Sequence, residues 1–99
     1  MTARILVALL TLGLAACHDT GGNAPLPPPQ AIADAAIAQF CGMSLQEHPG
    51  PKGQIFLRDQ AKPFWFASVR DAIAFTMLPE MPKNIAVVYV TDMARSPDW

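Results

Sequence analysis

Cys41, Met43 and His48 fall within eight residues of one another, and Met93 stands near the end of the 99-residue chain. A thiolate, a thioether and an imidazole are soft and borderline donors, the set that selects cuprous copper, whereas hard cations want carboxylate oxygens. No carboxylate cluster stands nearby in sequence. On an extended strand Cys41 and Met43, at i and i+2, project from one face and could chelate one ion together. Gly42 and the Pro49-Gly50 pair let the chain fold back, so that His48 can reach the thiol. Met93 follows a β-branched run and could approach from a neighbouring strand. Zinc fits less well than Cu(I), because a structural zinc site takes four Cys/His ligands and only Cys41 and His48 are on offer beyond residue 30. Met77 and Met81 read as core or loop residues. Three other readings compete for the thiol: a buried cysteine acting as a small hydrophobe, a Cys17–Cys41 disulfide, and a nucleophile or redox centre with His48 as its only visible base.

The other cysteine belongs to an address. Arg4 precedes an apolar-rich run from Ile5 to Ala16, which ends in small residues. That run is too short for a spanning helix of about 20 residues and has the form of a signal-peptide core. Leu14-Ala15-Ala16-Cys17 resembles the bacterial lipobox, which marks residues 1–16 for removal and Cys17 for acylation. His18, where a retention signal would carry Asp, leaves outer-membrane anchoring open. Two acyl chains hold a protein to a bilayer firmly where one is marginal. Residues 17–30, with Gly21-Gly22 and Pro27-Pro28-Pro29, then read as a flexible start running into a stiffer tether.

Composition narrows the function further. The sequence carries 7 Lys+Arg against 8 Asp+Glu, a formal charge of −1, which leaves no electrostatic footprint for nucleic acid. Removing Arg4 makes the balance 6 to 8. Hydrophobic residues at 52% argue for an ordered core, and 99 residues limit that core to one small domain. At this size a metal, a disulfide or a partner domain is usually needed.

That domain spans residues 31–99. Ala31–Phe40 is Ala-rich, with Ile32, Ala36 and Ile37 at helical spacing, and suggests a short helix or helical turn. Gln54–Asp59 reads as a strand bounded by Gly53 and Pro63. Ser68 with Asp71 three residues on marks a helix start, Val69, Ala72, Ile73 and Met77 share one face, and Pro79 ends the helix. Asn84–Thr91 is nearly continuously apolar, as expected of a central strand buried on both faces. An extended segment around Phe40–Leu45 would supply another strand. The sum is an α+β fold, strand-strand-helix-strand (ββαβ), with one helix over a small sheet. Phe64-Trp65-Phe66 is a core cluster or, in a scaffold protein without metal, a docking surface.

Phe40-Cys41-Gly42-Met43, His48-Pro49-Gly50-Pro51-Lys52-Gly53-Gln54-Ile55-Phe56-Leu57, Trp65–Asp71, Ala74-Phe75-Thr76, Leu78-Pro79-Glu80 and Tyr89-Val90-Thr91-Asp92-Met93 together resemble the NosL family. The resemblance runs from about Phe40 to Trp99. It implies a ββαβ domain in a non-enzymatic copper-chaperone lipoprotein, held to the outer membrane and facing the periplasm. Such a protein binds Cu(I) and supplies the copper centre of nitrous-oxide reductase through a membrane-associated maturation complex. It implies Cys41 as thiolate ligand, Met43 and Met93 as thioether candidates, and His48 as a further ligand. It also implies a tandem of two such domains, of which the second is absent here.

Overall fold

The computed structural model describes residues 24–95. Cys17, the signal-like residues 1–16, the first part of the tether and the terminal Ser96–Trp99 lie outside them. The elements run β1 (Gly53–Leu57), β2 (Phe64–Phe66), α1 (Val69–Met77) and β3 (Ile85–Val90), with a 3-10 turn at Leu45–Glu47 before them. The order is ββαβ. The three strands form one antiparallel sheet in the spatial order β2-β1-β3.

α1 starts where its sequence says it should. Ser68 is extended, and its Oγ accepts from the Asp71 amide at 3.1 Å, satisfying one of the donors that a helix N-terminus leaves open. At the other end Lys83 Nζ donates to the carbonyls of Thr76 (3.1 Å) and Leu78 (2.6 Å), before Pro79 would have broken the ladder. The buried face is Ala72 and Phe75, while Ile73 and Met77 are exposed, so the stripe expected from Val69, Ala72, Ile73 and Met77 is rotated. The cause is Phe75. Its ring lies 5.2 Å from Phe66 and 5.4 Å from Phe64, and burying that aromatic bulk outweighs burying Ile73.

Gly53 permits the close contact. A Cβ there would stand 2.6 Å from Ala72 Cβ, so helix and sheet meet at a point where neither has a large side chain. Gly53→Ala should overpack this contact and cost about 1–3 kcal/mol. The shift in the urea midpoint at unchanged slope measures it, and an unchanged midpoint would show that α1 can lift away freely.

The central strand is β1, buried at every position, and not the run at 84–91. β3 is an outer strand of the sheet and is only half-buried. Its continuous apolar character has a different origin. Register passes from Phe56↔Val87 to Leu57↔Ile85, skipping Ala86, so a bulge shifts the side-chain phase midway. Ile85 and Val88 thereby both pack on the core of Ile55, Leu57, Phe66, Ala72 and Phe75.

Of the short helix or helical turn expected over Ala31–Phe40, the structure has a turn (Ala36 N to Ala33 O, 2.9 Å) and no helix. One further expectation is corrected. Phe40–Leu45 is not a strand of the sheet; the second strand is Phe64–Phe66, too short to show a period of two. Phe66 is fully buried, and Phe64 and Trp65 pack against two separate apolar clusters, so this trio is core and not a docking face.

The sheet face away from α1 carries Gln54, Phe56 and Tyr89, and the incoming chain covers it. Gln54, fully buried, accepts from the Gln30 amide and donates to the Gln30 carbonyl, both at 2.9 Å. Tyr89 Oη donates to the Pro27 carbonyl at 2.7 Å. The tether expected over residues 17–30 is therefore pinned to the domain at Pro27 and again at Gln30.

Candidate metal centre

The segment 36–45 folds as a small hairpin. Ala38 N bonds Met43 O at 3.0 Å, Leu45 N bonds Ala36 O at 2.9 Å, and Ile37 bridges Ser44. Gln39 N to Trp65 O at 2.8 Å hangs the hairpin on the free edge of β2. Its far end carries Phe40, Cys41 and Gly42. Gly42 has φ +69° with nothing within 4 Å of where a Cβ would be, so the left-handed backbone, and not lack of room, calls for glycine. That conformation turns the chain immediately after the thiol. Phe40 packs its ring edge against Phe66 at 5.7 Å, tying the loop to the core one residue before Cys41.

The 3-10 turn after the hairpin brings His48 back. Cys41 Sγ and His48 Nε2 stand 3.9 Å apart. With metal–sulfur and metal–nitrogen bonds of about 2.3 and 2.0 Å, two ligands on one ion sit roughly 3.5–3.8 Å from each other. The pair is thus within a few tenths of an ångström of the separation that a shared ion imposes. Cys41 is exposed and His48 half-buried, so an ion can reach both from solvent.

His48 also lines an open groove with Gly50, Lys52, Thr91 and Met93. Met93 owes its place to the residues before it. Thr91 is buried and bonded to Lys52, the residue before β1, and Asp92 Oδ1 accepts from the amides of Ala94 (3.0 Å) and Arg95 (3.2 Å), forming a turn that leaves Met93 half-exposed at the groove. The structure therefore brings Cys41 to His48, and Met93 lines the same open groove as His48. Met43 is different. It is half-exposed on the returning arm of the hairpin, and because Cys41 sits in a turn the expected same-face pairing along a strand does not exist. No group of three or more His, Cys, Asp and Glu suited to a metal is found among the described residues.

Lys52 and Thr91 escaped the sequence reading as parts of the site. A lysine between Pro51 and Gly53 looks like any solvated turn residue, and only its burial sets it apart.

A three-stranded antiparallel sheet with one covering helix, carrying a thiol–imidazole pair whose imidazole shares a groove with Met93, defines a small α+β domain with soft-donor chemistry. The chain belongs to the NosL family, whose model matches residues 29–99. It is 42% identical over 92 residues to the copper-binding lipoprotein NosL of Achromobacter cycloclastes and 33% identical over 92 residues to that of Stutzerimonas stutzeri. Each alignment covers 93% of this chain and 47% of the relative, so the chain spans about half the length of the curated relatives it matches. Among solved structures, the copper chaperone NosL from Shewanella denitrificans superposes with a TM-score of 0.66 at 38% identity, covering 74% of this chain and 55% of that one.

Proposed function

We propose that this chain is a lipid-anchored copper chaperone without enzymatic activity, which holds Cu(I) between Cys41 and His48 with a methionine thioether completing the shell. The observation that carries the reading is the 3.9 Å approach of Cys41 Sγ to His48 Nε2, with Met93 on the same groove as the imidazole. The relatives named as copper-binding lipoproteins and the chaperone structure support copper as the cargo. Cuprous ion fits the donors best, because thiolate and thioether are soft and an open two- or three-ligand shell lets a cargo ion leave. Met93 is the preferred thioether on position, and Met43 the alternative.

The rest follows from the resemblance and the address. Acylated Cys17 anchors the protein in the outer membrane, facing the periplasm, and the copper goes to the nitrous-oxide reductase centre through a membrane-associated maturation complex. A nucleophilic thiol would use the same Cys41–His48 pair, but it gives no role to Met93.

Copper K-edge absorption on the anaerobically loaded chain tests the donor set. The expected shell is three-coordinate, with sulfur scatterers and one imidazole. A shell of nitrogen and oxygen alone would contradict the reading.

A further inference from the structure

We infer that Lys52 and Thr91 form a brace that positions His48 and Met93 about one ion, an inference that rests on the copper reading above. Lys52 is only 7% exposed, and its ammonium donates to the carbonyl of His48 and, at 3.0 Å, to that of Gly50. Its partners are these two main-chain oxygens and no acidic side chain among the described residues. The loop His48–Gly50 is thus wrapped around Nζ, which fixes the backbone from which the imidazole projects. Burying an ammonium is costly unless it is well bonded, so the carbonyls of this loop are held at the lysine and not left to solvent.

The same residue reaches the strand that delivers Met93. Lys52 N donates to Thr91 Oγ1 at 3.0 Å, Thr91 N donates to Lys52 O at 3.0 Å, and the Thr91 hydroxyl also lies 3.3 Å from that carbonyl. Thr91 is itself buried, at 8% exposure. Lys52 therefore holds His48 through its side chain and the Thr91-Asp92-Met93 segment through its main chain. The two candidate ligands are 45 positions apart in sequence, and this brace is the hydrogen-bonded connection between their loops. Among the described residues the Lys52 ammonium bonds main-chain carbonyls and none of the candidate ligand atoms, so its role is positioning.

The test uses the full chain in detergent with methyl-13C methionine, the Met93 signal being assigned by Met93→Leu. In the wild type, Cu(I) should shift the Met93 methyl and the His48 ring resonances together. Lys52→Met should lower Cu(I) affinity by about 10–100-fold, the range for losing a partner that orients a ligand. Cu(I) should still shift the His48 ring while the Met93 methyl stays near its metal-free position. Thr91→Val should act in the same direction, and Thr91→Ser, which keeps the hydroxyl, should restore wild-type behaviour. The Thr91 pair decides the matter if Lys52→Met does not fold. Wild-type affinity and a wild-type Met93 shift in Thr91→Val or in folded Lys52→Met would overturn the brace while leaving the copper reading intact. A wild-type chain that takes up no Cu(I) would overturn the copper reading, and the brace with it.

Discussion

Phe66→Ala should abolish cooperative folding, or leave the domain only marginally folded, at 25 °C. Phe66 is fully buried and makes two aromatic contacts. Phe75 lies 5.2 Å away at 61°, Phe40 5.7 Å away at 69°, and Phe75 in turn meets Phe64 at 5.4 Å. Truncating such a ring costs about 3–5 kcal/mol through lost burial and the cavity left behind. A domain of roughly 70 ordered residues has only about 4–10 kcal/mol to lose, at the usual 0.05–0.15 kcal/mol per residue. The same ring supports Phe40 beside the thiol, so folding and the metal loop should fail together. Urea denaturation followed by near-ultraviolet circular dichroism checks this. Phe66→Leu, which keeps most of the volume, should retain a cooperative transition at a lower midpoint. A wild-type midpoint in Phe66→Ala would mean that the aromatic cluster is not the core.

The elements that could be read from sequence are those whose signals are local. Ser68 and Asp71 announce a helix start because the cap is a contact between residues three apart, and the β-branched run ending at Thr91 is long enough to declare a strand. Phe64–Phe66 is only three residues, and its strand character comes from pairing with Gly53–Ile55, which no local pattern reports. Ala31–Phe40 has helical propensity, yet Ala36 and Ala38 are spent on hairpin and bridge contacts to Leu45 and Trp65. Tertiary pairing overrode propensity there. The central position of β1 was hidden for a related reason: Gly53 and Gln54 look like turn and surface residues until Ala72 and Gln30 are seen against them.

The candidate site divides along the same line. Cys41 and His48 are close in sequence, with a glycine to turn the chain, and their approach could be anticipated. That Met93 and not Met43 shares the imidazole's groove depends on the bonds between Lys52 and Thr91, 39 positions apart. Nothing local foretells them.

Cys41→Ser should remove most of the Cu(I) affinity and almost none of the stability. The thiolate is the one anionic soft donor that the centre can offer, and it is deprotonated on binding, so affinity should also rise with pH as protons are displaced more easily. A serine hydroxyl stays neutral and is a hard donor. Loss of a partner that only orients a ligand costs about 10–100-fold, and loss of the ligand itself should equal or exceed the upper end of that range. Cys41 is exposed in a turn, so the exchange should move folding stability by no more than about 0.5 kcal/mol. His48→Ala, which leaves the thiolate and the methionines in place, should have the smaller effect of the two.

An anaerobic competition titration against a chromogenic Cu(I) chelator, run in a Cys17→Ser background so that Cys41 is the one thiol remaining of the chain's two cysteines, is the most direct test. One Cu(I) per chain is expected with Cys41 present, and a Kd at least about a hundredfold weaker for Cys41→Ser with an unchanged melting curve. Equal affinity with and without the Cys41 thiol would contradict the assignment of the copper centre.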